Sequence, residues 1–504
     1  MHILWSKSVD EGVIPEALKR TVIIPLFKKG HAGCPENYRP IASSSNLIKV
    51  FEKIVRKYTS SYLEENELLN PNQHGFRQNR SCLSQLLAHY ETILQIIEKG
   101  LGVDVVYLDF SKAFDKVDFN VLLSKLHKLG IGGTLGKWFY SFLTGRTQCV
   151  AVNGVLSHPI CVESGVIQGS VLGPLLFLIM IGDIGDDVFS SYVSSFADDT
   201  RLLHSISDVY DASCLQSDLD SVYLWAYTNN MMFNSLKFEL IRYNSPDDAV
   251  NVSYKDSNRS DIIQKSYVKD LGVVMSDSVC FSDHINSVCS SIKNMSSWIM
   301  RTFSSRNQFA MINLWKTLVI PIHDYCSQIW SPTKVGAIQK LDVQWFFIRK
   351  INKNFGSDYW DCLVEMKLLS LQRRRERYQV IYLWKIIEGI VPNPFVAFQD
   401  NVSSGFSVKL SARNGRTCVF PSSNRHSSIK FQNIRNSSFI IHASKLFNAL
   451  PKQIRNISNC SVDAFKEKLD TFLQTIPDMP HLPGLGKYCQ ASSNSLHDMI
   501  PMYT

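Results

Sequence analysis

Two carboxylates stand side by side at Asp198 and Asp199 in the stretch YVSSFADDTRLL, residues 192–203, between two apolar runs. Alone, the pair reads as the turn of a hairpin, because Asp tolerates the backbone angles of a tight reversal. A divalent-metal site needs a third carboxylate, and Asp109 offers one in GVDVVYLDFSKAFDKVD, residues 102–118. That segment reads as a buried strand over 103–108 that turns irregular at Asp109. A carboxylate at the end of a strand and another at a hairpin tip converge if both lie in one sheet. Such groups are costly to bury without a cation or a hydrogen-bond donor beside them. Three clustered acids suit Mg²⁺, a hard ion that takes oxygen ligands and leaves positions for phosphate. Two such ions, roughly 3.5–4 Å apart, serve in-line displacement at phosphorus. The carbonyl of Phe110 is a further candidate ligand.

The elements that must position these acids are readable from periodicity. RTVIIPLFKKG (20–30) reads as a strand with a basic tip, and the segment after Ser45 as a helix with Ile48, Phe51, Ile54, Val55, Tyr58 and Tyr62 at helical spacing. NQHGFRQNRSC (72–82) is a polar loop, followed by an amphipathic helix over 83–100. Asp118 is placed to cap the next helix and Gly130 to stop it. Asn153-Gly154 marks a hairpin within 147–164. The Gly-rich SGVIQGSVLGP opens an apolar helix, a second helix is expected over 211–228, and SYVKDLGVV (266–274) reads as one strand. Beyond about 280 the pattern becomes helical, most clearly at 312–330 and 371–390. From about 480 the periodicity is lost, which predicts a mobile tail.

At 504 residues the chain exceeds one typical core. Its most apolar run, VLGPLLFLIMIG (171–182), is too short for a bilayer span and is broken by Gly173-Pro174. The N-terminus lacks the apolar core of a signal peptide, so an intracellular protein, nuclear or cytoplasmic, is expected and a membrane partner is not. Twelve cysteines without a C-x-x-C pair offer no support for structural zinc. The net charge is +8 but unevenly spread: residues 340–460 hold 19 Lys and Arg against 7 Asp and Glu, whereas the rest holds 34 against 38. Residues 401–460 contain nine basic residues and no acid, which points to a polyphosphate partner.

YLDFSKAFDKVD, SGVIQGSVLGPLLF and FADDT, in this order and spacing, closely resemble the reverse transcriptases of non-LTR (LINE-like) retrotransposons. NYRPIASSSNLIKVFEKIV, QHGFRQNRS, MMFNSLKFEL and KDLGVVM extend the resemblance, as do LVIPIHDYCSQIWSP, LLSLQRRRERY and ASKLFNALP. The resemblance implies an α+β right-hand polymerase with fingers, palm and helical thumb, in which Asp109, Asp198 and Asp199 are the catalytic, metal-binding acids. Asp109 and Asp198 would be direct ligands, with Asp199 in support. It implies that Phe114 is an aromatic gate against a ribose 2′-hydroxyl, against the alternative of ordinary core packing. It further implies that Gln168 and Gly169 lie along nucleotide and template, and that Arg77 clamps the triphosphate, with Lys28 and Arg39 as lesser candidates. Lys237 would be a general acid toward pyrophosphate, against the alternative of a surface lysine, and Leu271-Gly272 would grip the primer. His74 stands where the family carries an aromatic.

The expected organisation is an N-terminal extension and fingers (1–100), a palm with inserted fingers elements (101–275; the polymerase domain about 20–275), a helical thumb (276–400), a basic nucleic-acid-binding region (401–480) and a tail (481–504). The implied cofactors are two Mg²⁺, with Mn²⁺ as the alternative, and the implied partners are an RNA template, a DNA primer or target, and deoxynucleoside triphosphates. The implied function is RNA-directed DNA synthesis, lacking the endonuclease that precedes such polymerases. The alternative is an inactive, nucleic-acid-binding remnant. Retention of all three acids favours the enzyme, and bulky Phe114 disfavours an RNA-synthesising one.

Overall fold

The computed structural model describes residues 2–244, 252–352, 358–394, 407–411, 413, 415–419, 429–478 and 494–503. The chain divides into two units: Met1–Ser81 with Asp104–Leu240 and Asp248–Gln264, and Cys82–Val103 with Ile241–Asp247 and Lys265–Thr504. The strands are β1 (Arg20–Phe27), β2 (Tyr38–Ser43), β3 (Gly102–Leu108), β4 (Arg146–Val152), β5 (Val155–Leu156), β6 (Ile160–Val162), β7 (Tyr192–Phe196), β8 (Asp199–Ile206), β9 (Glu239–Tyr243), β10 (Ile263–Gln264), β11 (Tyr267–Asp270), β12 (Val273–Ser276), β13 (Ser407–Ser411) and β14 (Gly415–Val419). With the helices between and after them they make an α+β fold.

One sheet runs β2-β1-β4-β5 with β6 also on β4, and another runs β10-β9-β3-β8-β7. Strand β3 is buried along almost its whole length, as a strand covered on both faces must be. Around it the first unit's core gathers Leu175, Leu176 and Phe177 from the helix Gly173–Met180 and Leu215, Leu219 and Val222 from Val209–Thr228. The β4–β5 turn falls at Asn153-Gly154, both at positive φ, as the sequence predicts.

Local signals set the helix starts. Ser45 Oγ accepts the amide of Leu47, and Asp118 Oδ1 accepts those of Asn120 and Val121. The helix Asn46–Glu65 carries two apolar stripes rather than one. Ile48, Phe51, Val55 and Leu63 are buried, while Ile54, Tyr58 and Tyr62 join Leu47 and Val50 on an exposed stripe. Buried Glu52 holds the Gly-rich turn, its Oε2 accepting the amides of Val171 (2.7 Å) and Leu172 (2.9 Å) just before the apolar helix.

In the second unit the strand expected over 266–274 is instead a tight hairpin, because Leu271 and Gly272 take φ of 44° and 88° between β11 and β12. The helix expected over 312–330 is broken. Pro321 has no amide to return to the preceding turn, the backbone widens over Trp315–Val319, and Cys326 takes a left-handed φ of 49°. The expected tail is corrected at its end: Leu496–Tyr503 is helical, with Leu496, Met499 and Ile500 buried and the Leu496 amide bonded to Glu376. Residues 479–493 lie outside the described ones. Among the described residues no helix is long and apolar enough to cross a membrane.

The basic segment is less available to phosphate than its composition suggests. Arg373 and Arg375 are buried, the first donating to the carbonyls of Ile476 and Pro477 and the second hydrogen-bonded to His323. Arg374, Arg377 and Arg416 pair with Asp324, Asp470 and Glu388. Within the acid-free run, Arg435 reaches Glu91 at 2.6 Å and Glu98 at 3.8 Å on the helix Cys82–Glu98. The missing acids are therefore supplied from elsewhere in the chain. Phe439, Leu446 and Phe447 are also buried, and Phe465 stacks on Trp384 at 4.2 Å, so this region is core as well as surface. Arg435→Met should strand Glu91 and destabilise the protein by about 3–5 kcal/mol. Adding Glu91→Leu should recover much of that loss in denaturant titrations; equal stability of R435M and wild type would show the pair to be idle.

Candidate active site

Asp198 sits in a two-residue reversal. Phe196 pairs with Asp199 to close the β7–β8 hairpin, leaving Ala197 and Asp198 as the loop. Ala197 takes φ of 54°, a strained conformation for an L-residue with a side chain. Asp198 is partly buried, and that burial pushes its carboxyl above the usual range. Its own backbone amide opposes the shift, the charge of Asp109 adds to it, and Arg39 and Lys28 oppose it.

Asp109 follows directly on β3, the neighbour of β8. Its carbonyl accepts the amide of Asn234 at 2.8 Å, and the amide of Ser111 reaches Met232 at 2.7 Å. Between these bonds Phe110 and Phe233 stack at 4.3 Å. The segment MMFN is thereby laid alongside Asp109, and the single turn Ser235–Lys237 brings the Lys237 ammonium onto Asp109 Oδ2. The sequence spacing alone does not show this ion pair.

Asp109 and Asp198 are thus brought within each other's field. Asp199 is exposed at the first position of β8. Among the described residues no group of three or more His, Cys, Asp or Glu side chains is arranged to hold a metal ion. The donor chemistry of Asp109 and Asp198 nonetheless fits a hard divalent cation. Two carboxylates repel, and one already engages an ammonium, so added positive charge relieves both.

The surrounding predicted residues divide. Phe114 is half-buried, stacked on Phe177 at 4.5 Å and edge-on to Phe76 at 6.2 Å, so it is both packing and a partly open face. Gln168 donates to Asp115 Oδ1 at 2.8 Å, and its carbonyl accepts the amide of Ala42 in β2 at 2.7 Å. Gly169 has φ of 107°, and a Cβ there would lie 2.7 Å from the Ala42 carbonyl, so the turn against β2 requires glycine. Exposed Arg39 is paired with Leu26 across the β1–β2 hairpin, and Lys28 follows at its tip. Arg77 is placed differently from what a phosphate clamp needs: its side chain is 7% exposed and its guanidinium donates to Glu64 and to the carbonyl of Asn70. Leu271 and Gly272 form the β11–β12 turn, where the Tyr325 hydroxyl donates to the Leu271 carbonyl at 2.7 Å.

One residue that motif reading missed is Gln73. Buried beside Ala197, it bonds both that residue's amide and its carbonyl. No signal in the sequence marks it, because its partner is the backbone of a turn.

Residues 26–275 match the family model described as reverse transcriptase (RNA-dependent DNA polymerase). They are a reverse transcriptase domain. Along two-thirds of its length the chain is similar to polymerases of LINE-like, non-LTR elements. It is 27% identical over 366 residues to the probable RNA-directed DNA polymerase from transposon BS of Drosophila melanogaster, covering 68% of this chain and 39% of that one. It is 27% identical over 364 residues to the RNA-directed DNA polymerase from mobile element jockey of Drosophila funebris, covering 69% and 39%. The chain therefore spans about 39% of the length of these relatives. Among solved structures, apo telomerase from Candida Tropicalis aligns over 77% of this chain and 66% of its own, with 11% identity and a TM-score of 0.40.

In this reverse transcriptase domain His74 is buried, and burial first, then Arg80, Arg201 and Arg77, hold its imidazole down to about 3. The ring thus serves as an uncharged planar group. Because the folded pKa is depressed below the ordinary 6.5, the stability tied to the neutral ring is full above pH 6.5 and lost as pH falls toward 3. From pH 7.5 to pH 5 this group should cost wild type about 2 kcal/mol. The stability difference between wild type and His74→Gln, measured by denaturant titration, should shift by that amount; a pH-independent difference would refute it.

Proposed function

We propose that this chain is an RNA-directed DNA polymerase that copies retrotransposon RNA into cDNA by two-metal nucleotidyl transfer. The observation that carries the reading is the convergence of Asp109 and Asp198 from adjacent strands inside a reverse transcriptase domain, where the charge of one raises the carboxyl of the other. Asp109 and Asp198 would hold two Mg²⁺ ions, with Mn²⁺ as the substitute and Asp199 in support. Such ions, when bound, activate a primer 3′-hydroxyl and stabilise the departing pyrophosphate.

The chain's own residues do the rest. Lys28 and Arg39, exposed on the β1–β2 hairpin and felt electrostatically at Asp198, take the triphosphate role that Arg77 is too engaged with Glu64 to fill. Lys237, already on Asp109, is positioned as the proton donor toward pyrophosphate. Phe114 presents its open face to the nucleotide sugar and selects deoxynucleotides, with Gln168 and Gly169 bordering nucleotide and template. The Leu271-Gly272 turn serves the primer end.

The wider organisation proposed is fingers over 1–100, palm over 101–275, thumb over 276–400 and a nucleic-acid-binding region over 401–480. In the last of these, outward Lys409, Arg413 and Lys445 are the phosphate contacts.

Asp109→Asn and Asp198→Asn each keep shape and remove a charged ligand. Primer extension on poly(rA)/oligo(dT) with Mg²⁺ should drop by orders of magnitude while RNA binding persists; activity retained in both would sink the assignment. Phe114→Val should raise ribonucleotide over deoxynucleotide incorporation by roughly ten- to a hundred-fold, the equivalent of about 1–3 kcal/mol. An unchanged efficiency ratio would leave Phe114 as packing alone.

A further inference from the structure

We propose that Gln73 is the positioning residue that holds the Ala197-Asp198 turn in its working geometry; this rests on the reading of Asp198 as a metal-binding acid. Gln73 is 5% exposed, and every polar atom of its side chain is engaged. Its Oε1 accepts the amides of Ala197 at 2.9 Å and Gly75 at 2.7 Å, and its Nε2 donates to the Ala197 carbonyl at 3.2 Å. The carboxamide thus spans both peptide groups that flank the Ala197 Cα. The second of those peptides leads directly into Asp198, so fixing its plane fixes where the Asp198 side chain leaves the backbone.

The turn needs such a hold. Ala197 sits at φ of 54°, in a region that Gly or Asn enters far more readily than Ala. Few contacts within the two-residue loop itself can offset that strain. The hold comes from outside the hairpin, and the segment carrying it is locked in register. The Ser195 amide donates to the Asn72 carbonyl at 3.1 Å, and the His74 amide donates to the Ser195 carbonyl at 2.9 Å. Residues 72–74 thereby extend the sheet beyond β7 in parallel, with Gln73 bridged to Ser195. Gly75 completes the fit: a Cβ there would lie 2.3 Å from the Ala197 amide nitrogen, so only glycine lets the loop press this closely.

The chemistry is specific to a carboxamide of this length. Glu would set a second acceptor against the Ala197 carbonyl and add negative charge beside the acids. Met would offer neither donor nor acceptor. Asn is one methylene too short to reach both peptide groups.

The test compares wild type, Gln73→Met, Gln73→Asn and Asp198→Asn as full chains. Mn²⁺ binding is read by electron paramagnetic resonance without nucleotide, and single-nucleotide addition is followed across an Mg²⁺ series. Outer partners of metal ligands typically contribute 10–100-fold in affinity or activity. Q73M and Q73N should bind Mn²⁺ and add nucleotide 10–100-fold more weakly, with RNA affinity unchanged. In the Asp198→Asn background, Q73N should change Mn²⁺ binding no further, because the group it positions is gone. Ala197→Gly, which removes the strain, should recover part of the loss in Q73N. Wild-type Mn²⁺ binding and addition in Q73N, with Asp198→Asn inactive, would overturn the role of Gln73 alone. Full activity in Asp198→Asn would overturn the reading on which it rests.

Discussion

Two like charges within each other's field at the ends of neighbouring strands are an expensive arrangement, and the first unit carries one in Asp109 and Asp198. The cost is visible in the raised carboxyl of Asp198, where burial and the charge of Asp109 act together. What holds the pair is backbone rather than side-chain chemistry at the acids themselves. β3 is pinned in the middle of its sheet by burial, MMFN is bonded alongside Asp109, and a strained reversal is clamped at Asp198. Lys237 offsets part of the repulsion on one side, and Arg39 and Lys28 act on the other. A site built this way has a standing demand for positive charge.

Much of this was legible in the sequence, for local reasons. Hairpin and cap signals act over a few residues, so Asn153-Gly154, Ser45 and Asp118 announced themselves. The order of the acid-bearing motifs carried the polymerase resemblance, and the family match over residues 26–275 agrees with it. The expectation that Asp109 and Asp198 share a sheet edge needed only strand logic, and they stand just beyond the ends of adjacent strands of one sheet.

What stayed hidden depends on partners far away in the chain. Nothing in GFRQNRS says that Arg77 turns back to Glu64 on the preceding helix. The acid-free run looked like open phosphate-binding surface because Glu91, which answers Arg435, lies 344 residues earlier. The four arginines of LQRRRERY count toward the basic excess of 340–460, yet Arg373 and Arg375 are interior and Arg374 and Arg377 are paired. The terminal helix Leu496–Tyr503 escaped because its burial is set by Glu376 and the core it meets, not by its own short pattern. Gln73 was hidden for a related reason: its partner is a backbone turn, and backbone groups leave no trace in composition.

The central claim is that Asp109 and Asp198 together make a cation site whose occupancy relieves their mutual cost. Calorimetric titration of Mn²⁺ into the full chain at neutral pH, comparing wild type with Asp198→Asn, measures that binding directly. Wild type should bind the ion, and Asp198→Asn should lose most of that binding, because a charged oxygen ligand is gone. Binding of equal strength in Asp198→Asn, or no binding by wild type, would contradict the account.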